Sequence, residues 1–147
     1  MTNPIPAVIL RYIEGLKAHD VEKIASTVAE DMGFVTPVKI MTKPQFVAFI
    51  GALYTGFPDW HYEHDPIEIR RDDIIAVRWY QGGHHTGMLT LPGFGSVAAT
   101  GKKVQIPPHY FFYKVADDLI TEIRPDPVPG GAPRGIFEQI GVTMPPL

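Results

Sequence analysis

The chain has 147 residues, the size of one domain (1–147), and its 45% hydrophobic and 20% charged residues are typical of a soluble globular protein. A formal net charge of -3 argues against nucleic acid as a partner, because phosphate-binding surfaces need a basic excess. With no cysteine, the chain cannot form disulfides, thiolate nucleophiles or cysteine-ligated metal sites. No basic segment with an apolar run opens the sequence, and no stretch is apolar enough to cross a bilayer. We therefore expect a cytoplasmic protein without a membrane partner.

Helical patterns come first along the chain. Three- and four-residue spacing predicts an amphipathic first helix with the apolar residues Val8, Ile9, Tyr12, Ile13 and Leu16. Asp20 is placed to cap a second helix that runs through residues 21–28. Thr42 and Gln45 have the spacing of a capping box and predict the start of a third helix, which ends at residues 56–59. Its apolar face carries Phe46, Phe49, Ile50 and Leu53.

The rest of the chain is typical of short strands and turns. Residues 32–37 and 38–41 predict two short strands before the third helix, and four more strands are predicted at 60–69, 74–81, 104–115 and 119–124. Residues 87–100 indicate a loop or an irregular hairpin, and a proline-rich bend at 125–129 leads to a short terminal helix. Helices followed by consecutive strands are the order of an α+β fold.

Five short motifs occur in order along the chain: Phe57-Pro58-Asp59-Trp60, Gly83-His84-His85-Thr86-Gly87, Thr100-Gly101-Lys102, Leu119-Ile120-Thr121-Glu122 and Gln139-Ile140-Gly141. On these motifs, the chain resembles the SnoaL-like polyketide cyclases of the nuclear-transport-factor-2-like (NTF2-like) superfamily. The resemblance implies a cone-shaped fold, in which N-terminal helices pack on a curved antiparallel sheet, and a homodimer. It also implies a catalytic aspartate on the last strand, acting as general acid and base with a nearby histidine.

Three charged residues near the last strand are candidates for that chemistry. A carboxyl group in an apolar cavity has its charged form desolvated, so its pKa moves toward the range useful for proton transfer. Asp126 is the first candidate and Glu122 the second. Alternation along the strand places Glu122, Arg124 and, if the strand continues, Asp126 on one face. In the alternative interpretation, Glu122 and Arg124 form a solvated pair and Asp126 caps a turn.

Two histidines are candidate partners of the carboxylate. His109 lies in a strongly apolar strand, where a polar side chain needs a reason, and its imidazole could relay a proton or orient the carboxylate. The alternative is a core histidine that donates to a backbone carbonyl. His85 occupies the histidine position of the family motif and has the same two interpretations. We reject a metal site at His61 and His64, because residues three apart on a strand face opposite sides.

Aromatic residues could form a wall for a flat ligand, although most buried aromatic residues are simply core. The candidate ligand-binding residues are Asp59, Trp60, Tyr62, Trp79, Tyr110 and Phe112. Asp59, at the junction of helix and strand, could instead cap a turn.

Three functions follow from these residues. The first is a cofactor-free cyclase or isomerase that acts on a small, apolar, polyketide-like carbonyl or ester compound by aldol-type chemistry. The second is an epoxide hydrolase of the limonene-epoxide type, for which Arg124 and Asp126 supply two groups, and Asp59 or Asp65 would have to supply a third. The third is a non-catalytic module that binds a small hydrophobic ligand or forms a dimer.

Overall fold

A computed structural model of the chain describes residues 4–37, 39–91 and 95–142. Its helices are α1 (Ala7–Ala18), α2 (Val21–Ser26), α3 (Lys43–Gly56) and α4 (Arg134–Gln139). Its strands are β1 (Val28–Val35), β2 (Ile40–Met41), β3 (His61–His64), β4 (Glu68–Ile69), β5 (Ile75–His84), β6 (Leu89–Leu91), β7 (Gly95–Val97), β8 (Lys103–Ala116) and β9 (Leu119–Pro125). The α+β order expected from the sequence is confirmed.

The helix starts follow from local hydrogen bonds. Asp20 caps α2, since its carboxylate accepts from the backbone N–H of Lys23 at 3.0 Å. At the start of α3, the side chain of Gln45 accepts from the backbone N–H of Thr42 at 3.0 Å. None of the helices in the described ranges combines the length and apolar character needed to span a bilayer.

Several boundaries differ from those predicted. Helix α2 ends at Ser26, and β1 already begins at Val28, four residues before the predicted strand. The predicted strand over 60–69 is two short strands, because Pro66 lacks the N–H that a continuous ladder needs. The loop or hairpin predicted over 87–100 contains the β6–β7 hairpin, and residues 92–94 within it lie outside the described residues. The strand predicted over 38–41 is present as β2, and residue 38 lies outside the described residues.

In the described part of the chain, seven strands form one sheet in the order β2-β1-β9-β8-β5-β3, with β4 also paired to β5. The pairs are antiparallel except β1 and β9, which run parallel. Where Trp79 pairs with His109 and Gln81 with Ile106, the register of β5 and β8 shifts. The shift falls at two prolines of β8, which cannot donate to the ladder.

The two faces of β8 differ in burial. Val104, Ile106, His109, Phe111 and Tyr113 are buried on the inner face, where α1 and α3 complete the hydrophobic core. Tyr110 and Phe112 are half-buried on the outer face. Helix α4 is held against β8 by Gln139, whose side chain bonds the backbone N–H and carbonyl of Gln105 at 2.9 and 2.8 Å.

The segment after β5 packs closely on the end of α3. A Cβ at Gly87 would lie 2.1 Å from the backbone oxygen of Thr55, whereas a Cβ at Gly51 would meet nothing within 4 Å. We expect Gly87→Ala to lower the free energy of unfolding by about 2 kcal/mol or more, because backbone must move. The control Gly51→Ala should raise it by up to about 1 kcal/mol. Urea denaturation of both variants measures this, and equal stabilities would contradict the close approach.

Candidate active site

An apolar interior cavity of about 40 Å³ lies between the inner face of the sheet and helices α1 and α3. Since a water molecule needs about 10–15 Å³ on the same measure, the cavity can hold a molecule of a few heavy atoms. All of its lining residues are uncharged, and most are aliphatic or phenyl side chains. Its polar groups come from Tyr12, Tyr62, Trp79, Gln81 and Tyr113.

Hydrogen bonds connect these polar groups to one another. The hydroxyl oxygens of Tyr54 and Tyr62 are 2.8 Å apart, and the indole N–H of Trp79 donates to the hydroxyl of Tyr113 at 2.9 Å. The indole N–H of Trp60 donates to the side-chain oxygen of Gln81 at 3.3 Å. Two predicted ligand-binding residues, Tyr62 and Trp79, therefore line the interior cavity, and Trp60 lies behind it.

Burial keeps the tyrosine hydroxyls protonated. It raises the pKa of Tyr12 and Tyr62 well above the ordinary value, and neighbouring tyrosines raise both further. Burial also raises the pKa of Tyr54 and Tyr113, although hydrogen bonds to neighbouring side chains oppose the shift. These groups are therefore hydrogen-bond donors rather than bases at any ordinary pH.

A larger outer groove of about 330 Å³ lies beside the proline-rich segment 125–133. It is lined by that segment, by Thr36 and Pro37 after β1, and by the start of α4. Its charged residues are Asp126, Arg134 and Glu138. Ala132 and Pro133 line both the groove and the interior cavity, so they form a wall between the two.

His109 is bonded to the proline-rich segment on both sides of its ring. Its Nδ1 lies 3.0 Å from the backbone oxygen of Asp126, and its Nε2 lies 3.2 Å from the backbone nitrogen of Ala132. A backbone N–H can only donate, so Nε2 accepts and Nδ1–H donates, which is the neutral imidazole. Burial lowers the pKa of His109, and the backbone carbonyl and charge of Asp126 oppose the shift.

His109 thus makes the backbone-donating contact that the sequence left as the alternative to proton relay. Its Nδ1–H donates to the backbone carbonyl of Asp126, and the backbone N–H of Asp126 donates to the backbone carbonyl of Tyr110 at 2.8 Å. Asp126 therefore lines the groove from a backbone whose N–H and carbonyl are both hydrogen-bonded.

His85 lies away from both cavities. It is 0% exposed and stacks on Phe57, with ring centroids 5.1 Å apart. Its Nδ1 accepts from the backbone N–H of Thr100 at 3.2 Å, and its Nε2 has no hydrogen-bond partner among the described residues. Burial lowers the pKa of His85, and the nearby backbone of Val97 opposes the shift. The structure does not bring His85 together with Asp126.

Four predicted site residues lie on the outer face of the sheet. Glu122 forms ion pairs with Lys114 and Arg124, with N···O distances of 3.6 and 3.5 Å, and the pair with Arg124 is the one that the sequence left as the alternative. Tyr110 and Phe112 stack with ring centroids 6.1 Å apart, beneath the guanidinium of Arg70. These side chains do not line either cavity, because alternation along β8 points them away from Phe111 and Tyr113.

Asp59 pairs with His84 at the end of β5. Its carboxylate accepts from the backbone N–H and from Nδ1 of His84, both at 2.7 Å. The backbone hydrogen bond is the main reason that the pKa of Asp59 is lowered. This pair was not predicted, and it keeps Asp59 out of both cavities.

Sequence reasoning missed residues of both the interior cavity and the outer groove. Tyr12 was identified only as part of the apolar stripe of α1, and Gln81 and Arg134 were not singled out. A polar side chain within a mostly apolar strand is the signal that could have found Gln81. In the described ranges, no three potential metal-ligating side chains converge.

The sequence model of the SnoaL-like domain family matches residues 9–123 of the chain. The chain belongs to the SnoaL-like family. Membership of this family points to cyclase- or isomerase-type chemistry. Among curated proteins, none matches the chain.

Solved structures show the same fold at low sequence identity. AclR from Streptomyces galilaeus is 19% identical with a TM-score of 0.66, over 82% of this chain and 75% of its own. A SnoaL-like polyketide cyclase-type protein from Jannaschia sp. CCS1 is 18% identical with a TM-score of 0.65, over 86% and 89%. A ketosteroid isomerase-like fold from Catenulispora acidiphila is 13% identical with a TM-score of 0.65, over 95% of each chain. The NTF2-like fold is thereby confirmed.

His109 should make the stability of the protein depend on pH. Its pKa is lower in the folded protein than the value of about 6.5 for an unfolded chain, so between the two values the unfolded state binds more protons. Stability should therefore fall as the pH drops below about 6.5. His109→Gln keeps a donor and an acceptor but does not titrate, and should reduce this loss.

Urea denaturation at about pH 7.5 and about pH 5 measures the difference for each variant. The pKa of His85 is also lowered in the folded protein, so part of the loss of stability at low pH should remain in His109→Gln. His61→Gln, at an exposed position of β3, is the matched control. An unchanged loss in His109→Gln would contradict a neutral His109 in the folded protein.

Proposed function

We propose that the protein is a cofactor-free enzyme of the cyclase or isomerase type, which acts on a small polyketide-like carbonyl or ester compound. The observation that carries the proposal is the place of Asp126, which lines the outer groove and whose backbone is held by the ring of His109 and by the backbone carbonyl of Tyr110. A base fixed beside an apolar, proline-lined groove is placed for proton transfer.

The chemistry assigned to the groove is an intramolecular aldol closure. Asp126 removes a proton from the carbon next to a carbonyl, and the resulting enolate carbon forms a bond to a second carbonyl carbon. The alkoxide formed there takes the proton back from Asp126, so the product has the mass of the substrate. Arg134, on the same groove, supplies N–H donors for the developing oxyanion.

A binding module is the second candidate, and the uncharged lining of the interior cavity favours it. The epoxide-hydrolase arrangement has less support. Arg124 points to the outer face and pairs with Glu122, Asp59 pairs with His84, and Asp65 accepts from the hydroxyl of Tyr80 at 3.0 Å. None of the three lines the groove that holds Asp126.

Asp126→Asn should abolish turnover, because the amide cannot take up the proton. We expect a loss of about 100-fold or more, the usual contribution of a general base. Asp117→Asn, the same chemical change in the turn at the far end of the β8–β9 hairpin, is the matched control. The measurement is mass-resolved profiling of a host extract incubated with each protein.

A consumed compound replaced by one of equal mass, with the unmutated and Asp117→Asn proteins only, is the expected result. A product heavier by one water would favour a hydrolase. No turnover, with one ligand retained equally by all three proteins, would favour the binding module and remove Asp126 from catalysis.

We also propose a homodimer formed through the outer face of the sheet. That face carries half-buried aromatic rings beside charges of both signs. It is therefore self-complementary, and two copies of the chain can associate through it. Phe112→Glu should convert the dimer to a monomer in sedimentation at micromolar concentration. Leu10→Glu, at an exposed apolar residue of α1 that is 46% exposed, should not. A monomer before mutation would exclude this dimer.

A further inference from the structure

Residues 127–133 form a strap between the outer groove and the interior cavity, since Ala132 and Pro133 line both spaces. Among the described residues, one hydrogen bond joins this strap to the sheet: the backbone N–H of Ala132 donates to Nε2 of His109 at 3.2 Å. The other hydrogen bonds of the strap stay within it or run to the start of α4. The bond between Ala132 and His109 therefore acts as the latch of the strap.

The latch exists only while His109 is neutral. Its Nε2 accepts from the N–H of Ala132, and its Nδ1–H donates to the backbone carbonyl of Asp126. A proton added to Nε2 would make it a second donor 3.2 Å from the first, so the ring and Ala132 would have to separate. The bond to Asp126 would remain, because Nδ1 carries a hydrogen in both forms. Protonation thus releases one end of the strap and keeps the other.

The strap can move at its released end. Gly130, with a φ of +76°, and Gly131 lie just before Ala132, and glycine adopts more backbone conformations than other residues. A Cβ at Gly131 would lie 3.1 Å from Cε1 of His109, so the ring and the strap are in direct contact. Displacement of Ala132 would remove part of the wall between the groove and the cavity.

The surroundings of the ring decide in which direction pH acts. Trp79 of β5 is the cross-strand partner of His109, and Phe111 lies beside it on β8, with ring centroids 5.0 Å apart. The ionisable residues on the elements around the latch are Asp126, Arg134, Glu138 and, behind Trp79, His64. Asp126 is the one charged group of the described residues that shifts the pKa of His109, and it opposes the lowering caused by burial. Opening would relieve this burial, so the open form binds the proton more readily and acid favours it.

We propose that residues 127–133 are a pH-sensitive strap, which is closed while His109 is neutral and opens at its Ala132 end when His109 is protonated. Opening joins the groove that Asp126 lines to the interior cavity, so acid turns two separate spaces into one. The strap opens in this way whether or not Asp126 is a catalytic base, because the latch involves only the ring of His109 and main chain.

Amide hydrogen exchange, followed by NMR on the full chain, reports on the two ends of the strap separately. Between about pH 7.5 and about pH 5, the protection factor of the Ala132 amide should fall about fivefold or more, the effect of losing one neutral hydrogen bond. The Asp126 amide, which donates to the backbone carbonyl of Tyr110 at 2.8 Å, should keep its protection factor. Equal losses at the two amides would indicate global unfolding and would overturn the proposal.

Two variants show whether His109 is the group that titrates. His109→Gln cannot take up the proton but can retain both hydrogen bonds, since its amide has a donor and an acceptor. The pH-dependent loss at Ala132 should disappear in this variant and persist in His61→Gln, the matched control at an exposed position of β3. If His109→Gln does not fold, as judged by circular dichroism, the comparison of the Ala132 and Asp126 amides in the unmutated protein decides the outcome.

Xenon tests the opening itself, because it enters apolar cavities and carries no charge. Xenon NMR measures the rate of its exchange between solvent and the interior cavity. This rate should rise about fivefold or more over the same pH range in the unmutated protein and in His61→Gln, but not in His109→Gln. A rate that does not change with pH would contradict the opening, as would ring nitrogen shifts that place the hydrogen of neutral His109 on Nε2.

Discussion

The two hydrogen bonds of His109 fix the segment on which both cavities depend. One ring nitrogen holds the start of the proline-rich segment at Asp126, and the other holds its end at Ala132. Two prolines between them restrict the backbone, and the backbone N–H of Gly131 donates to the carbonyl of Val128 at 3.0 Å within the same segment. As a result, one imidazole anchors both the backbone of Asp126, which lines the groove, and the wall that bounds the interior cavity.

The interior cavity combines apolar walls with hydroxyl, indole and amide groups. Buried polar groups cost about 1–3 kcal/mol each when they lack partners, which is why Tyr54 and Tyr62, and Trp79 and Tyr113, bond each other. The polar groups of the cavity are therefore neutral, whereas the carboxyl group of the candidate chemistry belongs to Asp126, on the groove.

The sequence predicted the helices and long strands because their apolar spacing is regular, and it predicted the family from motifs that set turns and caps. Tyr62 and Trp79, which the sequence singled out as ligand-binding candidates, line the interior cavity, and Asp126 lines the outer groove just after β9 ends. It could not place Tyr110 and Phe112, since the face to which a residue of β8 points depends on the register shift near its prolines. It also could not show that His109 bonds main chain rather than carboxylate, because both partners come from a segment without a regular pattern.

The parallel pairing of β1 and β9 has a consequence for how the protein is made. Val28 pairs with Ile120 and Phe34 with Ile123, so the first strand of the described residues cannot complete its pairing until the last one, β9, has been synthesised. Until the ribosome has released that strand, one edge of β1 is an unpaired ladder of N–H and carbonyl groups. Contacts of such sequence separation also form slowly. Prematurely terminated chains that stop short of β9 would expose this edge, and are the forms of the protein that chaperones and proteases would have to recognise.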